Sequence, residues 1–89
     1  MIIINYHSSF QKAYQKRIKF HSQLAKQTKA RILLFINDRS NPILKDHQLS
    51  GTKKWYKAFS VTGDVRIVYK EISESEVMFI DIGSHNQVY

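Results

Sequence analysis

The chain opens on a β-branched run, Ile2-Ile3-Ile4, that continues through Asn5 to Tyr6. Such a run predicts a short first strand over Ile2 to Tyr6. Ser8 and Ser9 follow, and either can cap a helix. Phe10, Ala13, Tyr14 and Ile18 then recur at three- and four-residue spacing, which is one face of a helix that weakens near Phe20. Ser22 offers a second cap, ahead of "QLAKQTKARILLFIN". There Leu24, Thr28, Ile32 and Phe35 form an inward stripe, with Leu34 and Ile36 beside it. The stretch "NDRSNP" stops this helix, because the residue before a proline avoids helical backbone.

The pattern then changes period. "ILKDHQLSG" has no sustained repeat and reads as a loop. After it come "TKKWYKAFSV", "VRIVYKEI" and "VMFIDIG", joined by the short polar connections "TGD" and "SESE". These are three strands in two antiparallel hairpins. The predicted class is α+β in the order β-α-α-β-β-β. An antiparallel sheet carries the helical pair on one face, in a single domain spanning residues 1–89. The other face of the sheet is expected to be partly open. Val65, Ile67 and Tyr69 alternate with Arg66, Val68 and Lys70, so Arg66 points to the open face if the first set packs on the helices. The strand before it is ambiguous. Trp55, Lys57, Phe59 and Val61 share one parity, Tyr56, Ala58 and Ser60 the other, and sequence does not choose between them.

Charge sharpens this picture. The formal net charge is +7, and it is uneven. No acidic residue precedes Asp38, while Lys12, Lys16, Arg17, Lys19, Lys26, Lys29 and Arg31 all lie in that half. From Asp38 onward, acids and bases balance. A basic half of this kind attracts RNA, DNA or an acidic protein. The bland alternative is a solvated helical face. The absence of cysteine excludes disulfides and thiolate metal sites. The start is neither a signal peptide nor a membrane span, and a cytoplasmic location without membrane contact is expected.

Four histidines are the candidate chemistry. No pair has the spacing of a helical zinc site, so no metal or other cofactor is expected. His7 and His21 sit at element ends and read as surface or capping residues. His47 and His85 lie in segments flanking the predicted sheet, where an imidazole can serve as acid or base. For Arg66 two roles compete, an ion pair with Asp64 or Asp81 and a clamp on an anionic substrate.

The segments "LKDHQLSG", "FSVTGDVRIVYKE" and "VMFIDIGSHNQVY" follow one another in the order and spacing of the RelE/ParE superfamily of bacterial toxins. The chain resembles most its YafQ-like and RelE/StbE-type members. That resemblance implies a type II toxin paired with an antitoxin. It also implies a ribosome-dependent mRNA endonuclease, in which a ribose 2′-hydroxyl attacks the adjacent phosphate under metal-independent acid–base catalysis. It matches His47 to the loop histidine, Asp64 to the acidic residue before the strand, and His85 to the histidine after the last strand. Tyr89 matches a terminal aromatic that stacks on a base. Arg66 and, roughly, Lys57 match basic residues of the RelE branch. Ser60 departs from the pattern, standing where YafQ-like members carry a second histidine. The glycine of "DIGSH" is expected to turn the chain so that His85 and Tyr89 project at the rim of the open face. Lys53, Lys54 and Lys57, with Lys12, Lys16 and Lys19 on the first helix, are the expected RNA-binding cations. Two other readings stay open at this point: a ParE-like inhibitor of DNA gyrase, and a non-catalytic relic that binds RNA or antitoxin.

Overall fold

In a computed structural model that describes residues 2–89, the β-branched start forms β1 (Ile3–Tyr6). Two helices follow, α1 (Ser8–Arg17) and α2 (Ser22–Asn37). The caps differ from the expected serines. His7 is the N-cap of α1, its Nδ1 accepting from the Ser9 N–H at 3.1 Å. His21 occupies the same position on α2. Ser9 instead ties α1 to the sheet, its hydroxyl donating to the Ile80 carbonyl at 2.6 Å. The "NDRSNP" stop holds: Asp38 ends α2, and Asn41 caps a 3-10 turn begun by Pro42.

The segment read as a loop contains a short strand. Lys45 takes a left-handed conformation (φ 51°), and β2 (His47–Gln48) follows at once. A 3-10 turn (Gly51–Lys53) then leads to β3 (Lys57–Ser60), β4 (Val65–Ser73) and β5 (Glu76–Ser84). The five strands lie in the order β1-β5-β4-β3-β2. All neighbours are antiparallel except β1 and β5, which run parallel with Ile4 opposite Val77 and Tyr6 opposite Phe79. After β5 comes a short helix, α3 (His85–Val88), that the sequence did not suggest.

The ambiguous strand parity is resolved by burial. Phe59, Val61, Ile67, Tyr69, Phe79 and Ile82 form the core under the helices, joined by Phe10, Ile18 and Phe35. Phe35 of α2 is fully buried and stacks on Phe59 with ring centroids 4.5 Å apart. It meets Tyr69 edge-on at 5.0 Å. Aromatic contacts of this kind add to the burial term, so truncating Phe35 should cost about 3–5 kcal/mol. Ala58 and Val68 face the other way and are covered by Val88 of α3, with Leu49 and Tyr56 at the margin. The expected open face is therefore partly roofed.

A charged cluster welds the connection between α2 and β2 to the helix side of the sheet. Tyr69 is fully buried, and its hydroxyl donates to Asp46 at 2.5 Å and accepts from Arg39 at 3.0 Å. Arg39 also pairs with Asp46 (3.6 Å) and Glu71 (3.2 Å). Lys57 pairs with Glu71 (3.5 Å) and approaches Asp46 (3.9 Å). Lys57 lies opposite Tyr69 in the ladder, which puts it on the helix side with these acids rather than with Arg66.

Burial raises the Glu71 carboxyl, but Arg39 and Lys57 outweigh that effect and hold it below the ordinary carboxylate range. A carboxyl depressed in the folded state stabilises the fold above its unfolded pKa and loses that contribution as pH falls through the folded value. The melting-temperature gap between wild type and Glu71→Gln should be largest near pH 7. It should close as pH drops below about 4, the ordinary glutamate range. Thermal melts from pH 7 to 3 measure it, and a gap that is constant with pH would show that the Glu71 charge contributes nothing.

Candidate active site

Arg66 on β4 faces away from the helices and pairs across the ladder with Ser60 and Gly83. Its Nη1 donates to the Ser60 hydroxyl at 2.8 Å. Its Nε is buried and, among the described residues, has no hydrogen-bond partner. Neither expected ion pair forms: Asp81 is held by Arg17 at 3.1 Å, and Asp64 accepts from the His85 backbone N–H at 3.4 Å. The guanidinium is thus fixed at one nitrogen and unsatisfied at another. Ser60, which cannot replace a histidine as acid or base, is the residue that orients it. The Ser60 carbonyl is in turn held by Arg31 at 3.1 Å. Sequence could not reveal this pair, because it depends on the β3 register.

His85 and Tyr89 arrive on α3 rather than on an extended tail. The glycine does not turn the chain, since β5 runs on through Gly83 to Ser84. Gly83 is there for space: a Cβ would stand 2.6 Å from Gln87 Oε1 and 2.8 Å from Arg17 Nη1. The turn comes one residue later, where the Ser84 N–H donates to Gln87 Oε1 at 2.7 Å. Asp64 supports the first residue of the helix through the His85 N–H. Val88 anchors the far end by burial, and Lys53 Nζ donates to the Val88 carbonyl. The His85 and Tyr89 rings meet edge-to-face at 4.5 Å. Burial pushes the Tyr89 phenol upward, with the Arg66 cation opposing it. The phenol therefore stays protonated at neutral pH, and its proximity to Arg66 is electrostatically felt.

His47 reaches the same region from β2. Its backbone pairs with Ala58, so its side chain shares the Ala58 face of the sheet, while Asp46 before it points to the helix side. His47 Nδ1 lies 2.9 Å from the Lys45 carbonyl. A carbonyl only accepts, so Nδ1 carries the proton and neutral His47 presents the Nε2 lone pair. His47 and Tyr89 line one cavity of about 360 Å³, completed by Gln48, Leu49, Ser50, Thr52 and Lys53.

The fold thus gathers His47, Asp64, Arg66, His85 and Tyr89, with Lys53, on one side of the sheet, and excludes Lys57. Lys16 lies with His21 in a groove that includes Ser84 and Gln87, beside the start of α3. Lys12 lies along α1 near Asp81. Lys19 rests against the exposed ring of Phe20 at 5.8 Å, and Lys54 against Trp55. Among the described residues, no group of three or more histidines or acids is placed to hold a metal ion. No helix among them is long and apolar enough to cross a membrane.

Residues 2–89 match the family described as a bacterial toxin of type II toxin-antitoxin system, YafQ. The chain belongs to the YafQ toxin family. It is similar to YafQ from Escherichia coli strain BL21(DE3), with 26% identity over 100% of this chain and 99% of that one, at a TM-score of 0.76. YafQ in the E. coli DinJ-YafQ complex is similar at 26% identity and a TM-score of 0.74, over 100% and 99% of the two chains. A metal-bound toxin from Helicobacter pylori shares the fold at a TM-score of 0.78, with 23% identity over the whole of both chains. No curated protein sequence matches. As a YafQ-family protein the chain is a toxin of a type II toxin–antitoxin system, and its α+β architecture is that of RelE-like toxins.

The Asp46 anchor is what fixes the start of β2 in this YafQ-family toxin. Tyr69→Phe deletes one hydroxyl bonded to a carboxylate and leaves the ring in the core. It should lower stability by about 1.5–3 kcal/mol. Hydrogen exchange should quicken at the Leu49 amide, which bonds the Tyr56 carbonyl across the β2–β3 connection, more than at amides of the β4–β5 ladder. Uniform loss of protection would show that Tyr69 supports the core as a whole rather than this connection.

Proposed function

We propose that this toxin is an endoribonuclease that cuts mRNA on the ribosome by attack of a ribose 2′-hydroxyl on the adjacent phosphate. The observation that carries this reading is the convergence of His47, Arg66, His85 and Tyr89 on one sheet face, with His47 Nε2 unprotonated in its neutral form and Arg66 Nε lacking a partner. His47 Nε2 takes the 2′-hydroxyl proton. The 2′-oxygen bonds to phosphorus, and the bond from phosphorus to the 5′-oxygen breaks. His85, as imidazolium, gives its proton to that leaving oxygen. The products are a 2′,3′-cyclic phosphate and a 5′-hydroxyl, and no metal or covalent enzyme intermediate enters.

Arg66 holds the phosphate and offsets charge building on its oxygens. Ser60 keeps the guanidinium turned toward it. Asp64 steadies the start of α3 and so the His85 ring. Tyr89 stacks on a base beside the scissile bond. Lys53 joins the tail to the cavity wall, and Lys12, Lys16, Lys19 and Lys54 provide longer-range attraction for RNA. The ribosome and mRNA place this work in the cytoplasm. E. coli YafQ is found with DinJ, and a comparable antitoxin would meet a chain of net charge +7, which favours an acidic partner surface.

Cleavage of ribosome-bound mRNA tests the assignment. His47→Ala and His85→Ala should each cut the rate by about 10²–10⁴-fold while ribosome binding persists. The wild-type rate should be bell-shaped in pH, and each variant should lose one limb. A His47→Ala protein with wild-type cleavage and both limbs would remove His47 from the reaction. Arg66→Lys keeps the charge but loses the planar fork, so cleavage should fall with the melting temperature nearly unchanged. An equal loss of stability would make Arg66 structural.

Tyr89 should act through its ring. Tyr89→Phe should keep most activity, and Tyr89→Ala should lose roughly 10- to 100-fold, as expected for base–aromatic stacking. Equal losses in both variants would point to the hydroxyl instead.

A further inference from the structure

Between Asp46 and Asp64 the chain has no acidic residue, yet it carries Lys53, Lys54 and Lys57. Lys57 is consumed by the acids on the helix side. Lys54 is exposed, and beside it stands Trp55, 72% exposed. An indole left in water gives up a large burial gain, and folding does nothing to recover it here. Lys54 Nζ sits 5.1 Å from the Trp55 ring centroid, which pairs the cation with the ring and leaves most of the indole uncovered.

This pair is presented by a held turn. The Lys54 N–H bonds the Gly51 carbonyl at 3.3 Å and the Tyr56 N–H bonds the Lys53 carbonyl at 2.9 Å, on either side of Trp55. Gln48 Nε2 adds a bond to the Lys54 carbonyl at 2.7 Å. Gly51 takes the left-handed backbone (φ 68°) that starts the turn. The same turn supplies Thr52 and Lys53 to the cavity that His47 and Tyr89 line. Trp55 therefore stands two residues along the chain from Lys53 in the wall of the candidate active site.

We propose that Trp55 with Lys54 forms a second base-stacking subsite for single-stranded RNA, extending the track that Arg66 and Tyr89 begin. It rests on the RNA reading above, and it adds a binding position outside the reacting groups. The acid-free segment favours a polyanion over a protein of mixed charge. An exposed aromatic flanked by lysines is the arrangement that grips single strands without regard to sequence. The position would lengthen the RNA footprint beyond the scissile dinucleotide.

Trp55 is the sole tryptophan, so its fluorescence reports on its own surroundings. The probe is a short single-stranded RNA bearing 2′-O-methyl groups throughout, which cannot be cleaved by 2′-hydroxyl attack. Titration at low salt should quench the wild-type emission. Anisotropy of the labelled RNA should show binding weakened about 10-fold by Trp55→Ala and no more than about 3-fold by Trp55→Phe. Lys54→Gln should reduce the slope of log affinity against log salt by about 0.7. RNA that binds Trp55→Ala as tightly as wild type would remove the subsite, and if ribosome-bound mRNA is still cut the nuclease reading survives. Tryptophan-dependent RNA binding without any mRNA cleavage would keep the subsite and remove the nuclease. A wild type that binds no RNA, but whose emission shifts on adding an antitoxin, would overturn the subsite and assign the surface to protein docking.

Discussion

The Tyr69 hydroxyl lies under the helices, where it donates to Asp46 and accepts from Arg39. Burial, reinforced by the bond to Asp46, pushes this phenol far upward against the opposing Arg39 cation, so it remains a donor at every physiological pH. The carboxylate it serves belongs to the residue just before His47. Strand alternation then does the rest: with Asp46 drawn to the helix side, His47 is turned to the other face. One buried bond on the helix side thus sets the direction of an imidazole on the side of the candidate site. The cost of burying the Asp46 charge is offset because the carboxylate meets Arg39 and Lys57 as well as a neutral donor, the Tyr69 hydroxyl.

The two faces of the sheet divide the cations between them. On the helix side, Arg39 and Lys57 are matched by Asp46 and Glu71, whereas Asp81 lies opposite Val68 on the other face and is taken by Arg17. On the other side, Arg66 is given only a serine hydroxyl, and Lys53 only a backbone carbonyl. Neutral partners orient a cation without cancelling its charge. Arg66 and Lys53 therefore keep their charge on the side that carries the candidate chemistry, while Arg39 and Lys57 are neutralised on the side that carries the core.

Periodicity made most of the fold legible. The apolar stripes of α1 and α2 and the alternation in β4 depend on local spacing, and all three elements form where those patterns lie. Burial of Ile67 and Tyr69 under the helices bears out the direction expected for Arg66. What stayed hidden depends on pairing between distant residues. The two-residue β2 has no period of its own and exists because His47 and Gln48 find Ala58 and Lys57. Lys57 looked like a substrate contact until the register put it opposite Tyr69. The short α3 was masked by residues that read equally well as a tail; it forms because Val88 can be buried and Gln87 can cap Ser84. Membership of the YafQ family was readable because the segments around His47, Asp64 and His85 keep both order and spacing. The partner of Arg66 was not, because Ser60 is significant only in three dimensions.

The parallel pairing of β1 with β5 has a consequence for how such a protein is made. β1 is one of the sheet's two edge strands, and among the described residues its one strand neighbour is β5. A chain growing from its N-terminus produces β1 and the cationic helices first, and they must wait for a partner encoded near the opposite end. His85 and Tyr89 follow that partner immediately. Scaffold completion and arrival of these candidate-site residues are therefore one event rather than two. A polypeptide halted before β5 would hold the basic helices without His85 and Tyr89, and so without the candidate site.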